Sequence, residues 1–280
     1  ISNNIVSGIE DAAIYVGMSD NVHVNNNEVF ASVAGIEFEN SRHGVIENNM
    51  VYDNAGGILT FITPGLPIKT TYDLIIRNNF ITNNNHVNFG APGSMVSGVP
   101  SGTGIVIMAA DEVTMENNII TGNKNAAIII TDHDSFPNIT KDPETDPKSD
   151  KIAILNNVMY NNGTDPIDEI KAAKLASFTT DNVDIINIGN SRESCILDSK
   201  QYVTYGLNDF GTCGFSTTAD MVTYLLPEPV PPREITELDK GKLTYFGVCT
   251  GCHAYNTRMI GPPVEVIQAL YMENPEGIAA

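Results

Sequence analysis

The chain has 280 residues, 42% of them apolar and only 18% charged, which is material for one large domain plus a small one and leaves little room for disorder. Acidic residues outnumber basic ones 34 to 15, a net charge of -19, and this balance argues against nucleic acid or an anionic membrane surface as a partner. No run of about twenty apolar residues occurs, so no membrane-spanning helix is expected.

Repetition dominates the first two thirds of the chain. An Asn-Asn pair recurs at Asn3-Asn4, Asn26-Asn27, Asn48-Asn49, Asn78-Asn79, Asn117-Asn118 and Asn156-Asn157. Two residues beyond each pair stands an apolar side chain: Val6, Val29, Val51, Ile81, Ile120 and Met159. Ahead of the pairs, Val22/Val24, Leu74/Ile76, Val113/Met115 and Ile152/Ile154 alternate with period two, the mark of strands with one face inward. A further strand opens on a small residue at Gly35-Ile36, Gly57-Ile58, Gly104-Ile105 and Ala127-Ile128. The unit is a coil of about 22 residues with three short strands. Asn suits its bends because it tolerates left-handed backbone and its amide can bond up and down a stack.

This pattern resembles the right-handed parallel β-helix repeat over residues 1–190, in about six to seven coils. A β-sandwich with Asn-rich turns is the alternative, but it would not keep one register around every pair. The longer spacings between pairs imply insertions at 62–72, 86–103 and 133–150, which leave from two different corners. An Asp165-Pro166 start predicts a helix to about Ser177, and Val183 to Ile188 reads as one more strand.

Candidate chemistry on the coils centres on Asp132-His133-Asp134, at the mouth of the longest insertion. A carboxylate beside a His could tune a catalytic base, or the two aspartates could hold calcium; a solvated, Asp-capped turn is the bland reading. His23 and His43 lie near strand starts, Asp53, Asp73 and Asp111 at corners, and Arg42 and Arg77 are scarce cations available to an anion. The Tyr-Gly-x-Asp-Pro-His signature of alginate epimerases is absent, as is a regular calcium nonapeptide array. Asn138-Ile139-Thr140 fits an N-glycosylation sequon.

Beyond the coils, residues 191–234 are expected to form a cysteine-bearing cap followed by a stiff, acidic linker, Leu226-Pro227-Glu228-Pro229-Val230-Pro231-Pro232. Next comes Cys249-Thr250-Gly251-Cys252-His253, the attachment motif of c-type haem, with two thiols for the vinyl groups and an imidazole for the iron. A zinc or thioredoxin-like CxxC is the alternative, though no second ligand cluster of suitable spacing accompanies it.

An amphipathic helix is predicted over 235–248, carrying Gly241 and Tyr245, and Gly261-Pro262 follows the motif. In these features residues 235–280 resemble small class I cytochromes c. The resemblance implies that Gly241 lets a last helix cross closely and that the Pro262 carbonyl accepts a hydrogen bond from the ligand His253. A distal Met is also implied. Met259 is too near His253 to cross the haem face, and Met272, on a helix beginning near Val264, is the remaining candidate. The domain reads as truncated, and the chain as a piece of a longer secreted precursor whose signal peptide lies elsewhere. Haem attachment takes place outside the bacterial cytoplasm, so Cys195 and Cys213 are expected to form a disulfide, two free thiols being the alternative.

The joint pattern resembles bacterial secreted parallel β-helix proteins with a C-terminal cytochrome c-type domain. It implies a periplasmic or extracellular electron-transfer protein carrying covalent haem c, with the β-helix as a docking or binding scaffold for a redox partner protein. A carbohydrate-active enzyme, such as a polysaccharide lyase or epimerase, with a fused cytochrome is one alternative. A structural subunit of an extracellular or respiratory assembly is the other.

Overall fold

The computed structural model describes residues 1–135, 139–176, 181–219, 236–247, 253–258 and 261–274. They fall into two compact units, residues 1–226 and 227–280.

Unit 1 is a stack of coils whose strands form three parallel sheets. Sheet I has six three-residue strands, from Ile5–Ser7 to Val158–Tyr160. Sheets II and III have seven strands each, beginning with Ala12–Gly17 and Asp20–Asn25. Every strand pairs with its equivalent one coil away, so residues of one type lie over each other. In sheet II this stacks Ile14, Ile36, Ile58, Ile105, Ile128 and Ile185 in one inward row. All are fully buried or nearly so, each worth about 1.5–3 kcal/mol of transfer from water.

The bends explain the Asn pairs residue by residue. The first Asn of each pair adopts positive φ, between 50° and 59°, a conformation Asn reaches at less cost than most side chains. The second Asn is buried from Asn27 onward and joins a ladder. The Asn118 side-chain oxygen accepts from the backbone N–H and side-chain amide of Asn79, at 3.0 Å each. Its own amide donates to the Ile76 carbonyl and to Asn157. Bonds of this kind continue from Asn4 to Asn157, satisfying backbone groups that the turn would otherwise bury unpaired.

A second ladder runs through Ser32, Asn54, Asn84, Asn123 and Asn162 at the next corner. The small residue opening the sheet II strands is a packing demand. A Cβ on Gly57 would sit 2.4 Å from the Gly104 carbonyl oxygen, one coil up.

The three insertions fall where the spacing put them, between strands ending at Phe61, Thr82 and Thr131 and strands starting at Tyr72, Thr103 and Ala153. The second carries a short 3-10 turn, Met95–Gly98, and lays Val96 over the outward side chains Leu59 and Phe61 of sheet II. Helix α1 (Asp168–Ala176) starts two residues beyond Pro166, and Ile170 packs on outward Ile129 and Ile186.

The stack does not stop near residue 190. Strands of two residues at Cys195–Ile196, Thr204–Tyr205 and Gly211–Thr212 extend sheets II and III, so what reads as a separate cap belongs to the coils. They are too short to show alternation in sequence. Cys195 and Cys213 are disulfide-bonded, with Cα atoms 4.8 Å apart, and close this last turn. The Pro-rich linker lies outside the described residues.

Unit 2 contributes two helices, α2 (Glu237–Gly247) and α3 (Val264–Tyr271). Thr236 caps α2: its hydroxyl accepts from the Asp239 N–H at 3.1 Å and donates to the Asp239 carboxylate at 2.8 Å. Among the described residues no helix is long and apolar enough to cross a membrane.

Candidate functional site

The haem-type segment is described from His253 onward; Cys249, Cys252 and Met259 lie outside the described residues. His253 and the Pro262 carbonyl oxygen are joined by a hydrogen bond through Nδ1, at 2.8 Å. That bond fixes the tautomer, with the proton on Nδ1 and a lone pair on Nε2. Gly261 is what lets the ring sit there, since a Cβ at that position would lie 2.2 Å from the imidazole. Gly241 is exposed on α2, and no described atom crowds its Cβ position. Met272 follows α3 and is 77% exposed.

The structure brings Asp132, His133 and Asp134 together, and each is occupied. His133 is buried and donates from Nε2 to the Ile62 carbonyl at 2.9 Å, while its N–H bonds to Pro147. Burial holds its imidazole below the usual range. Asp132, also buried, pairs with Lys148 at 2.8 Å and accepts from Ser135. Burial works against its charge, yet the Lys148 and Ser135 bonds outweigh it and keep the carboxyl low. Asp134 pairs with Lys148 and Lys141. The trio ties the 133–150 insertion to the stack. Among the described residues, no three His, Cys, Asp or Glu side chains converge to hold a metal. Asn138 of the sequon lies outside the described residues.

The other sequence candidates form ladders across coils. Glu47 bridges Arg77 at 2.7 Å and His23 at 2.8 Å, bonds that hold its carboxyl low against the opposing effect of burial. Arg42 pairs with Asp20 and His43 with Asp73. Asp53 supplies a positive-φ bend. Asp111 accepts from the Asp150 N–H, and burial pushes its carboxyl up to about 6.

A different cluster, not singled out in the sequence, occupies the outer face of sheet II in the first two coils. Ile36 and Phe38 face the core, so Glu37 and Glu39 of the same strand face outward. Register sets Tyr15 beside Glu37, with Leu59 on the other side. Glu39 accepts from the hydroxyls of Tyr15 and Thr63. Glu37 is only 3% exposed, and its Oε2 has no hydrogen-bond partner. Burial, then the negative charges of Asp11 and Glu39, push its carboxyl up to about 8. Burial and Glu39 also raise Asp11. A signal was present in the run Ile36-Glu37-Phe38-Glu39, whose outward positions are Leu59 and Phe61 one coil later.

Residues 1–145 match the family model described as the right handed beta helix region. Among solved structures, the alginate lyase from Paenibacillus sp. str. FPU-7 is similar to this chain at 15% identity and a TM-score of 0.43. The match covers 72% of this chain and 60% of that protein. No curated protein matches the sequence.

Proposed function

The chain belongs to the right-handed β-helix family, and on that premise we propose that it is an extracytoplasmic c-type haem protein in electron transfer. The coil stack serves as the docking or binding scaffold, and a redox partner protein receives or supplies the electron. The observation that carries this reading is the 2.8 Å contact between Nδ1 of His253, the last residue of a CxxCH motif, and the Pro262 carbonyl, with Gly261 against the ring.

Each residue has a task. Cys249 and Cys252 would hold haem through thioether bonds to its two vinyl groups. His253 would offer Nε2 to the iron, its ring held by the hydrogen bond that Nδ1–H donates to the Pro262 carbonyl, which makes Nε2 a better donor. Gly261 keeps the loop against the ring face. Met272 is the candidate that would supply a second iron ligand. Haem bound here supplies a one-electron couple. The Cys195–Cys213 disulfide supports an oxidising compartment, periplasmic or extracellular.

The test is expression with the bacterial haem-attachment machinery. A Soret band and haem that stays on the chain through denaturation are expected, both lost in Cys249→Ser/Cys252→Ser. Wild-type protein matured this way without a Soret band overturns the proposal.

A second reading, a carbohydrate-active enzyme with the haem segment as electron port or anchor, is favoured by Glu37. A buried carboxyl pushed up to about 8, with Glu39 of the same strand held by two hydroxyls beside it, is an arrangement suited to general acid–base chemistry. Screens for turnover of polysaccharides, with Glu37→Gln as control, decide it. Equal turnover in the variant removes Glu37 from catalysis.

A further inference from the structure

The second insertion seals the outer face of sheet II over Leu59 and Phe61. On the same face, one strand away, Asp11, Tyr15, Glu37 and Glu39 form an acidic ledge, with Glu37 in register between Tyr15 and Leu59. Three properties of this ledge call for an explanation. Its charges are of one sign: the groups acting on Glu37 are Asp11 and Glu39, and those acting on Tyr15 are Glu39, Glu37 and Asp11. Glu37 is buried with an oxygen that bonds to nothing, an arrangement that costs stability unless something uses it. Tyr15 stays 48% exposed, its hydroxyl tethered to Glu39 so that the ring is held in place over the backbone of Gly17.

We propose that this ledge binds the protonated amine of an amino-sugar residue in a glycan, with Glu37 and Asp11 accepting from the ammonium and the Tyr15 ring packing on the sugar's apolar face. An ammonium brings three donors and one positive charge, which matches a carboxylate pair lacking both donors and a counter-ion. Glu39 is already engaged by two hydroxyls. No described triad of acidic, His or Cys side chains is arranged for a metal ion, so a bare cation is the poorer fit. An anionic polymer meets only repulsion here. The inference deepens the carbohydrate reading by naming its ligand class, but it requires binding and not turnover. It is independent of haem.

The experiment is calorimetric titration of the full chain at pH 6 and low salt with glucosamine oligomers, N-acetylglucosamine oligomers and mannuronate oligomers. Glucosamine oligomers are expected to bind at least about tenfold more tightly than the acetylated series, and mannuronate not at all. Glu37 holds a proton at pH 6 in the unliganded chain, so binding an ammonium releases it. The measured heat should then depend on the buffer's ionisation enthalpy, a dependence that Glu37→Gln abolishes.

Glu37→Gln and Asp11→Asn should each weaken binding about tenfold, with circular dichroism confirming the fold. Absence of binding, equal affinity for both oligomer series, or unchanged affinity in both variants overturns the proposal. Calcium binding that these substitutions remove, with no oligomer binding, also overturns it and makes the ledge a metal site. Binding without any turnover keeps the inference and removes the enzyme reading.

Discussion

The coil stack and the C-terminal helices solve the problem of burying apolar surface in opposite ways. In the stack every large inward side chain is covered by its equivalents one coil above and below, and Ile36, Ile58, Ile105 and Ile128 are wholly buried. In unit 2, α3 has no buried residue, and Leu238, Leu270 and Met272 are 84%, 73% and 77% exposed. The stack makes its own core from repetition. The C-terminal helices carry apolar side chains that a flat, apolar prosthetic group could cover, as the haem proposal requires.

The sharpest way to break this contrast is Cys249→Ser/Cys252→Ser. If unit 2 depends on haem and the stack does not, the variant should lose all covalent haem and the ordered helical signal of α2 and α3. The melting of the β-rich stack, followed by circular dichroism near 218 nm, should be unmoved. A stack transition that falls with the haem would show that the two regions are energetically one.

Next in size is Asn118→Ala, which tests whether the stack's self-sufficiency resides in its ladders as well as its isoleucines. The substitution removes the acceptor for the Asn79 N–H and amide and the donor to the Ile76 carbonyl. Each buried group left unpaired costs roughly 1–3 kcal/mol, so a fall in Tm of several degrees is expected in thermal denaturation. Asn156→Ala, at an exposed bend, should cost less, since it loses only the positive-φ preference and one bond to Ser216.

Reducing the Cys195–Cys213 bond is expected to act only at one end of the stack. The bridge joins Cys195, in one two-residue strand, to Cys213, the residue after another, 18 positions along the chain, and its loss should cost about 3 kcal/mol. Hydrogen exchange should quicken at Cys195–Ile196 and Gly211–Thr212 while the strand Thr103–Met108 keeps its protection. Uniform loss of protection would mean that the coils unfold as a single unit instead.

What could be read in the sequence follows the same divide. The Asn pairs were legible because each position answers one local demand, left-handed backbone first and a buried amide second, repeated coil after coil. The second ladder, with Asn54, Asn84, Asn123 and Asn162 five residues beyond the second Asn of each pair, is less regular in sequence, because the residue before it varies: Asp53, Asn83, Gly122 and Asn161. The bond from His133 to Ile62 joins residues 71 apart, so no local pattern could reveal that this imidazole is spent. Glu37 hides for a related reason. Outward Glu on a strand reads as solvated, and only the register that sets it between Tyr15 and Leu59 of the neighbouring coils shows where it is buried.

That burial gives the smallest of the expected effects, and a signed one. Glu37 keeps its proton in the folded chain up to about pH 8, against 4.5 as its ordinary value. Between those values the folded state holds a proton that the unfolded state has released, so its contribution is full below pH 4.5 and disappears as pH rises through 8. The groups facing Glu37 are Asp11, Glu39 and Tyr15; none is basic, so none compensates as Glu37 ionises. Wild-type Tm should therefore fall by a few degrees between pH 5 and pH 8.5, and Glu37→Gln should flatten that slope while leaving the Tm at pH 5 nearly unchanged. A slope that survives in Glu37→Gln would place the responsible proton elsewhere, with Asp111, raised to about 6 by burial at its own corner, the first group to examine.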